Sequence, residues 1–349
     1  MRALITGANG HIGNHVVRAC IAAGVDPIAF VRDTADLRAL ADLKVERWVG
    51  DVLDAESLRE ACEGCEWVFH LGSPHRNFVV DPAEIVRPAI EGTRNVLAAA
   101  RAAKVKRVVV TSSAATVGFA HVATRPLDEV SHLAKAESAP TQAKIEAERL
   151  AIAEAREGGL DVVVVNPSAV VGPRDYRLTP ASRALMGLVQ GDSSFQGRCP
   201  TDVRDVATAH VLAAQRGKSG CRYLLTGLAL TPKEVAEVVA LVTGIQPPTM
   251  RPPRFLLRLL AGQTERKAAK TGQDAALTRA QLVDTYGKHV VYDSSLARDE
   301  IHASFRPAED TLRDAFRWLL FVGALKPSVA RKVARTLGDR AAPDRNWVR

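Results

Sequence analysis

Three glycines set the terms for this chain. Gly7, Gly10 and Gly13 stand in ITGANGHIGNHVV, directly between an apolar, β-branched run (RALIT, residues 2–6) and a helical apolar pattern that starts at His11. At a strand-to-helix junction this spacing allows a tight turn, approach of a ligand to bare backbone N–H groups, and close helix–strand packing. The helix N-terminus adds positive potential, so an anionic pyrophosphate is the ligand that suits it.

The rest of the chain keeps the same rhythm for about half its length. Runs at 2–6, 27–31, 44–49, 66–71, 107–112 and 161–166 read as successive strands, nearly continuous in apolar residues, as strands buried on both faces are. Helical periodicity fills the intervals. The expected fold is therefore α/β, a Rossmann-type doubly wound parallel sheet over residues 1–167, with parts of 204–226 returning to it. After Asn166 two Gly/Pro-rich stretches, NPSAVVGPRD and GIQPPTMRPPR, break the alternation. Residues 168–325 are expected to form a smaller substrate-binding domain over the C-terminal edge of the sheet, with short strands at RYLLT and VVYD. Residues 326–349 read as a basic tail.

Composition narrows the function classes. Among 349 residues, 47% are hydrophobic and 25% charged, ordinary values for a globular chain. No apolar run reaches the roughly eighteen residues of a membrane span, and the N-terminus lacks a signal peptide's pattern, so a cytoplasmic protein is expected. The five cysteines are scattered; only Cys62 and Cys65 form C-x-x-C, with no second pair, so buried thiols are expected and no metal site. The net charge is +8, and half of it lies in Ser328–Arg349, where six basic residues face two acidic ones. That distribution, with no nucleic-acid motif, fits an enzyme for small anionic ligands and argues against a nucleic-acid partner.

One position decides between dinucleotides. A ribose 2′-OH is usually held by an acidic residue at the end of the second strand, whereas a 2′-phosphate needs a cation. The strand PIAFV ends in Arg32 and then Asp33. Arg32 favours NADP; Asp33, by reaching the ribose or neutralising the arginine, would favour NAD.

Further along, TGANGHIG, VRD, VGDVLD, VFHLGSP, EGTRNVL, RVVVTSSAATVG, VVVVNPSAVVGP, DVRDVATAHVLA and VVYDSSLARDEI follow one another. With these motifs the chain resembles the extended short-chain dehydrogenase/reductase (NAD-dependent epimerase/dehydratase) family, within it the dihydroflavonol-reductase-like and hopanoid-associated sugar-epimerase-like group. The resemblance implies a nicotinamide dinucleotide held by Gly7, Asn9, Gly10, His11, Ile12, Gly13 and Arg32. It further implies Asp51 and Val52 at the adenine, Leu71, Gly72 and Ser73 along the nicotinamide side, and Asn166, Pro167 and Ser168 beside the nicotinamide. Ser113 matches the family's substrate-orienting serine, and Lys144 its lysine, which holds the nicotinamide ribose and lowers the pKa of a tyrosine four residues earlier.

That tyrosine is missing. Residues i and i+4 share a helix face, so lysine and phenol can pair there; position 140 is proline. The residues four after Tyr176, Tyr223, Tyr286 and Tyr292 are Pro180, Gly227, Val290 and Leu296, and no tyrosine precedes residue 176, so no shift of register restores the pair. Proline suits the first turn of a helix after Ser138 or Ala139, so the helix is expected to persist without the phenol. Three readings stay open: hydride transfer with a relay through Ser113 and another group or water, redox-neutral or non-hydride chemistry on the same scaffold, and a cofactor-binding sensor or subunit without turnover. Tyr176 in GPRDYRL, His132, His75 and His121 are the candidate surrogate acids.

Two basic, leucine-rich stretches, 251–262 and 316–336, are expected as helices of the smaller domain. An apolar cap over a bulky substrate and attachment to a membrane surface are the alternatives. A homodimer stays open.

Overall fold

The computed structural model describes residues 1–72, 78–122, 124–192, 200–227, 230–248, 252–272 and 274–338. In its first half, β1 (Arg2–Thr6), α1 (His11–Ala22), β2 (Asp26–Val31), β3 (Glu46–Val49), α2 (Ala55–Cys62), β4 (Trp67–His70), α3 (Ala83–Ala102), β5 (Arg107–Thr111), α4 (Ala139–Glu157) and β6 (Val162–Pro167) follow the expected alternation. The remainder comprises β7 (Ala169–Val171), α5 (Pro180–Val189), β8 (Pro200–Asp202), α6 (Val203–Arg216), β9 (Arg222–Leu225) and α7 (Pro232–Thr243). It ends in α8 (Arg254–Thr271), α9 (Arg279–Thr285), α10 (Ser295–Ile301), α11 (Ala308–Phe321) and α12 (Pro327–Leu337).

Seven parallel strands run in the order β3-β2-β1-β4-β5-β6-β9. The period of two along each strand sends Ile5, Phe69, Val109 and Val163 to the α1/α6 side and Leu4, Val68, Val108 and Val162 to the α2/α3/α4 side, all fully buried. Covered on both faces, β1, β4, β5 and β6 have to be apolar almost throughout, which is why they read as unbroken runs, whereas the edge strand β3 is largely exposed. Chain order reverses between β1 and β4, so a crevice opens at the carboxyl ends of those two strands.

The second half differs from expectation at three places. RYLL, within the 204–226 expected to return to the main sheet, is its edge strand β9, but α10, outside that range, also packs into its core through Ala297 and Ile301. VVYD makes only isolated bridges, Ala120 with His289 and Leu127 with Tyr292, because its neighbour is an irregular loop that offers no continuous ladder. The expected basic tail is helical up to Leu337: Val333 and Leu337 are buried in a core of their own with Val235, Val239, Leu312 and Phe316. The basic residues of α12 occupy its outer face, and composition hid the inner one. Residues 339–349, including Trp347, lie outside the described residues.

The thiols behave as expected. Cys62 and Cys65 are buried, which pushes them up to about 12 and about 11, and no metal-binding group of side chains occurs among the described residues.

Buried histidines tie the sheet to its helices. His210 on α6 accepts from the Thr111 hydroxyl at 2.8 Å through Nε2, while Nδ1 lies 2.7 Å from the Val206 carbonyl. Those partners suit the neutral ring, and burial holds His210 at about 4 and His70 at about 3. The unfolded chain therefore takes up protons below about pH 6.5 that the folded one refuses, and stability is lost as pH falls through that range. The urea midpoint should drop between pH 7 and pH 5, less steeply in His210→Gln; an unchanged midpoint in the native chain would contradict neutral burial.

Candidate active site

The glycine loop fits against the switch point with no room for side chains. Gly7 has φ +68°, and a Cβ there would lie 3.0 Å from the Gly72 nitrogen. At Gly13 a Cβ would meet the Gly7 carbonyl oxygen at 2.1 Å. The N-cap of α1 is Gly10, with no side-chain cap and no acidic residue in the first turn. Its first N–H groups are thus left for a ligand of negative charge. Asn9 donates to the Asp36 carbonyl at 3.1 Å and fixes the loop to the segment after β2. Ile12 packs on the core. The His11 side chain turns away, its Nε2 3.1 Å from the Pro173 carbonyl, so only its backbone faces the loop's ligand side.

Beyond β2 and β3 lies a cleft of about 350 Å³ lined by Arg32, Asp33, Thr34, Val49, Gly50 and Asp51. Arg32 and Asp33 are exposed and make no side-chain hydrogen bond or ion pair among the described residues. Asp51 accepts from the Leu53 N–H at 3.0 Å, and Asn95 donates to the Val52 carbonyl at 3.1 Å.

A polar chain that the sequence reading missed sets the crevice floor. The Thr6 hydroxyl oxygen accepts from the Leu71 and Gly72 N–H groups at 3.2 and 3.0 Å and lies 2.9 Å from His70 Nδ1. His70 Nε2 lies 3.2 Å from Thr93 Oγ1, which donates to the Ala89 carbonyl. Every role is met when Thr6 donates to a neutral His70. The only signal was polar residues ending two adjacent strands.

At the end of β5, Lys144 Nζ donates to the Thr111 carbonyl at 2.8 Å. Burial pulls its pKa down to about 8, against the attraction of Glu148. Ser113, two residues past Thr111, is partly exposed. Its carbonyl accepts from Asn166 Nδ2 at 3.2 Å and its hydroxyl from the Ala115 N–H at 3.2 Å. Glu148, one turn after Lys144, underlies the group: it accepts from Asn166 at 2.7 Å, Thr116 at 2.8 Å and Arg222 at 2.6 Å. The i, i+4 spacing of Lys144 and Glu148 was legible and was overlooked. Pro167 ends β6, and Ser168 Oγ lies 2.7 Å from Thr201 Oγ1.

Of the candidate surrogate acids, Tyr176 is held away from this point. Tyr176 stacks edge-on against Trp318 at 4.9 Å under the guanidinium of Arg38, in the segment after β2. From β2 to β5 is three strand spacings, roughly 14 Å. His132 and His121 are exposed, and the contact made by the His132 ring is 3.5 Å to the Val130 carbonyl. Ser73 and His75 lie outside the described residues. Pro140 occupies the first turn of α4, as expected from its ring. Asp284 of α9 accepts from the Glu137 and Ser138 N–H groups at 2.9 and 3.0 Å just ahead of it.

These features fit a dinucleotide lying across a switch point: a side-chain-free cradle at α1, a cleft beyond β2, and a desolvated amine at β5. The chain is a doubly wound α/β protein of the dinucleotide-binding type. It belongs to the NAD dependent epimerase/dehydratase family, whose model matches residues 3–225. A putative dihydroflavonol 4-reductase of Synechocystis is 30% identical over 330 residues, covering 92% of this chain and 95% of that one. Sterol demethylase protein B of Methylococcus capsulatus is 34% identical over 282 residues, 76% of this chain and 83% of that one. A solved nucleoside-diphosphate-sugar epimerase from Pseudomonas aeruginosa superposes with a TM-score of 0.72 at 26% identity, covering 93% and 99% of the two chains. The protein is accordingly an enzyme of oxidoreductase or epimerase type with a nicotinamide cofactor.

Lys144 makes the site sensitive to pH. Because its folded value, about 8, lies below the ordinary lysine value of 10.5, the unfolded chain holds the extra proton between those limits. Stability therefore gains from this group as pH rises from about 8 to about 10.5. Cofactor affinity should move the opposite way, weakening as the ammonium is lost above about pH 8. Fluorescence titrations with NADPH across that range should show the decline in the native chain and a flat, weaker profile in Lys144→Met. A flat native profile would exclude Lys144 as a charged ligand.

Proposed function

We propose that the protein is an NADP-dependent reductase or dehydrogenase acting on a carbonyl/hydroxyl pair of a moderately apolar small molecule, with the proton handled without a tyrosine phenol. The observation that carries this reading is Lys144, brought down to about 8 and bonded to the Thr111 carbonyl at the end of β5, two residues before Ser113, with proline in place of the phenol. A nicotinamide dinucleotide supplies or accepts the hydride when bound. Gly7, Asn9, Gly10, His11, Ile12 and Gly13 would hold its pyrophosphate through backbone groups, Asp51 and Val52 its adenine, and Leu71, Gly72, Ser73, Asn166, Pro167 and Ser168 its nicotinamide end. Lys144 would hold the ribose, and Ser113 Oγ would orient the substrate oxygen.

In the reducing direction the substrate oxygen gains a proton as the hydride arrives at carbon. An amine near 8 is mostly protonated at neutrality yet gives its proton up more readily than an ordinary lysine, as a general acid should. Lys144 Nζ would hold that proton and pass it, directly or through one water, toward the oxygen bound at Ser113. Tyr176, packed on Trp318 under Arg38, is set aside, and exposed His132 makes no contact with Lys144 or Ser113 among the described residues. Arg32 supports NADP, because it stands free at the mouth of the cleft beyond β2 with no carboxylate paired to it among the described residues. The names of the two relatives, a flavonol reductase and a sterol demethylase protein, support a moderately apolar substrate for this chain too.

Two measurements test the reading. Arg32→Ala should weaken NADPH binding about tenfold or more while leaving NADH nearly unchanged, a guanidinium–phosphate contact being worth that much; equal loss for both would reverse the assignment. With a panel of apolar ketones, aldehydes and alcohols, the native enzyme should consume or form NADPH, and Ser113→Ala should lose on the order of 10²-fold or more in kcat. Product formed without net change in the cofactor would replace the reading with a redox-neutral one. Binding without turnover across the panel would point to a sensor.

A further inference from the structure

Helix α8 carries two faces of different character. Leu257, Ala261 and Ala268 are buried, and the first two pack on Leu282 of α9. Thr264 bonds the Leu277 carbonyl, and Glu265 accepts from the Arg279 backbone at 2.6 Å and its guanidinium at 2.7 Å. The inner face is thus fully engaged. At 100° per residue, the opposite face carries Phe255, Leu256, Leu259 and Leu260, and these are 63%, 41%, 62% and 44% exposed. Four large apolar side chains left in water within two turns form a contiguous patch of the kind that marks an interaction site.

The occupant is constrained by charge. Along the same outer face the apolar turns give way to Arg266, Lys267 and Lys270, all exposed, and Arg254 and Arg258 flank the patch. The single carboxylate of α8, Glu265, is buried against Arg279. A second copy of the chain would set these cations against their own equivalents in a parallel pairing, and in an antiparallel one α8 would offer them no exposed carboxylate. A surface that offers both negative charge and an apolar interior, and that yields to a convex ridge, suits it better. No helix among the described residues is long and apolar enough to cross a bilayer, so the helix would lie on it.

We infer that the outer face of α8 docks the protein on an anionic lipid bilayer, with Phe255 and Leu259 entering the acyl boundary and Arg266, Lys267 and Lys270 meeting lipid phosphates. The inference goes beyond the proposed reaction and stands without it. Its setting is informative nonetheless. The segment joining α8 to α9 holds Asp274, which accepts from the Phe78 N–H beyond β4 and from Arg183 of α5, and α9 holds the head of α4 through Asp284. The unit that bears the lipid face is therefore fastened to the segment after β4, to α5 and to the head of α4.

Vesicle sedimentation of the full chain tests this, with phosphatidylcholine alone and with phosphatidylcholine plus phosphatidylglycerol, at low and high salt. The chain should sediment with the anionic vesicles only, and high salt should release it. The triple variant Arg266→Gln, Lys267→Gln, Lys270→Gln should lose on the order of a hundredfold in partitioning. Phe255→Ser with Leu259→Ser should lose about tenfold or more. NADPH binding should be unchanged in both, and the charge variant decides if the apolar one does not fold. A native chain that stays in the supernatant, or variants that sediment like it, would overturn the inference. So would a native dimer that Phe255→Ser with Leu259→Ser splits without any effect on vesicles.

Discussion

Everything at the carboxyl edge of the sheet depends on how closely β1 and β4 bring their following turns together. Gly7 lies so near the Gly72 backbone that a methyl group would not fit, and the Thr6 hydroxyl holds both N–H groups of the β4 turn in place. A neutral His70 secures Thr6 from below, and α3 secures His70 through Thr93. The crevice is a product of missing side chains and one saturated polar chain, since each buried polar atom would cost stability if left unpaired. Its electrostatic character then follows from the uncapped start of α1.

Around that crevice the chain divides binding from proton chemistry in an unusual way. The glycine loop opens α1 without side chains, and α4 begins with Pro140 one turn before Lys144. The structure compensates in structural terms, because Asp284 satisfies the backbone ahead of the proline and Lys144 remains anchored to Thr111. Lys144 sits in a desolvated position where its proton is more labile than in water. Glu148 opposes that effect from one turn away while tying Asn166 and Thr116 to the same point. The proposed chemistry uses this balance.

Much of this was legible in the sequence for identifiable reasons. Strands buried on both faces must be apolar almost throughout, so β1, β4, β5 and β6 stood out within a residue or two at each end. The glycine loop was legible because backbone proximity tolerates no substitute. What escaped was tertiary. RYLLT was expected to rejoin the main sheet, but its place as the edge strand beside β6 was not legible, since four residues carry little pattern. The apolar stripe of α12, two buried residues in a basic helix, was masked by composition. Tyr176 followed the right strand but was drawn to Trp318 and Arg38, an aromatic and cationic attraction that sequence spacing does not encode. The Thr6, His70 and Glu148 networks join residues far apart in the chain, and their polar identity alone pointed nowhere.

A crystal structure of the complex with NADP and a bound substrate analogue is the most direct test of the central claim. The account expects the pyrophosphate against the first turn of α1, the 2′-phosphate at Arg32, the nicotinamide ribose at Lys144, and no phenol within hydrogen-bond reach of the reacting oxygen. A dinucleotide bound elsewhere, or a tyrosine hydroxyl on that oxygen, would contradict it.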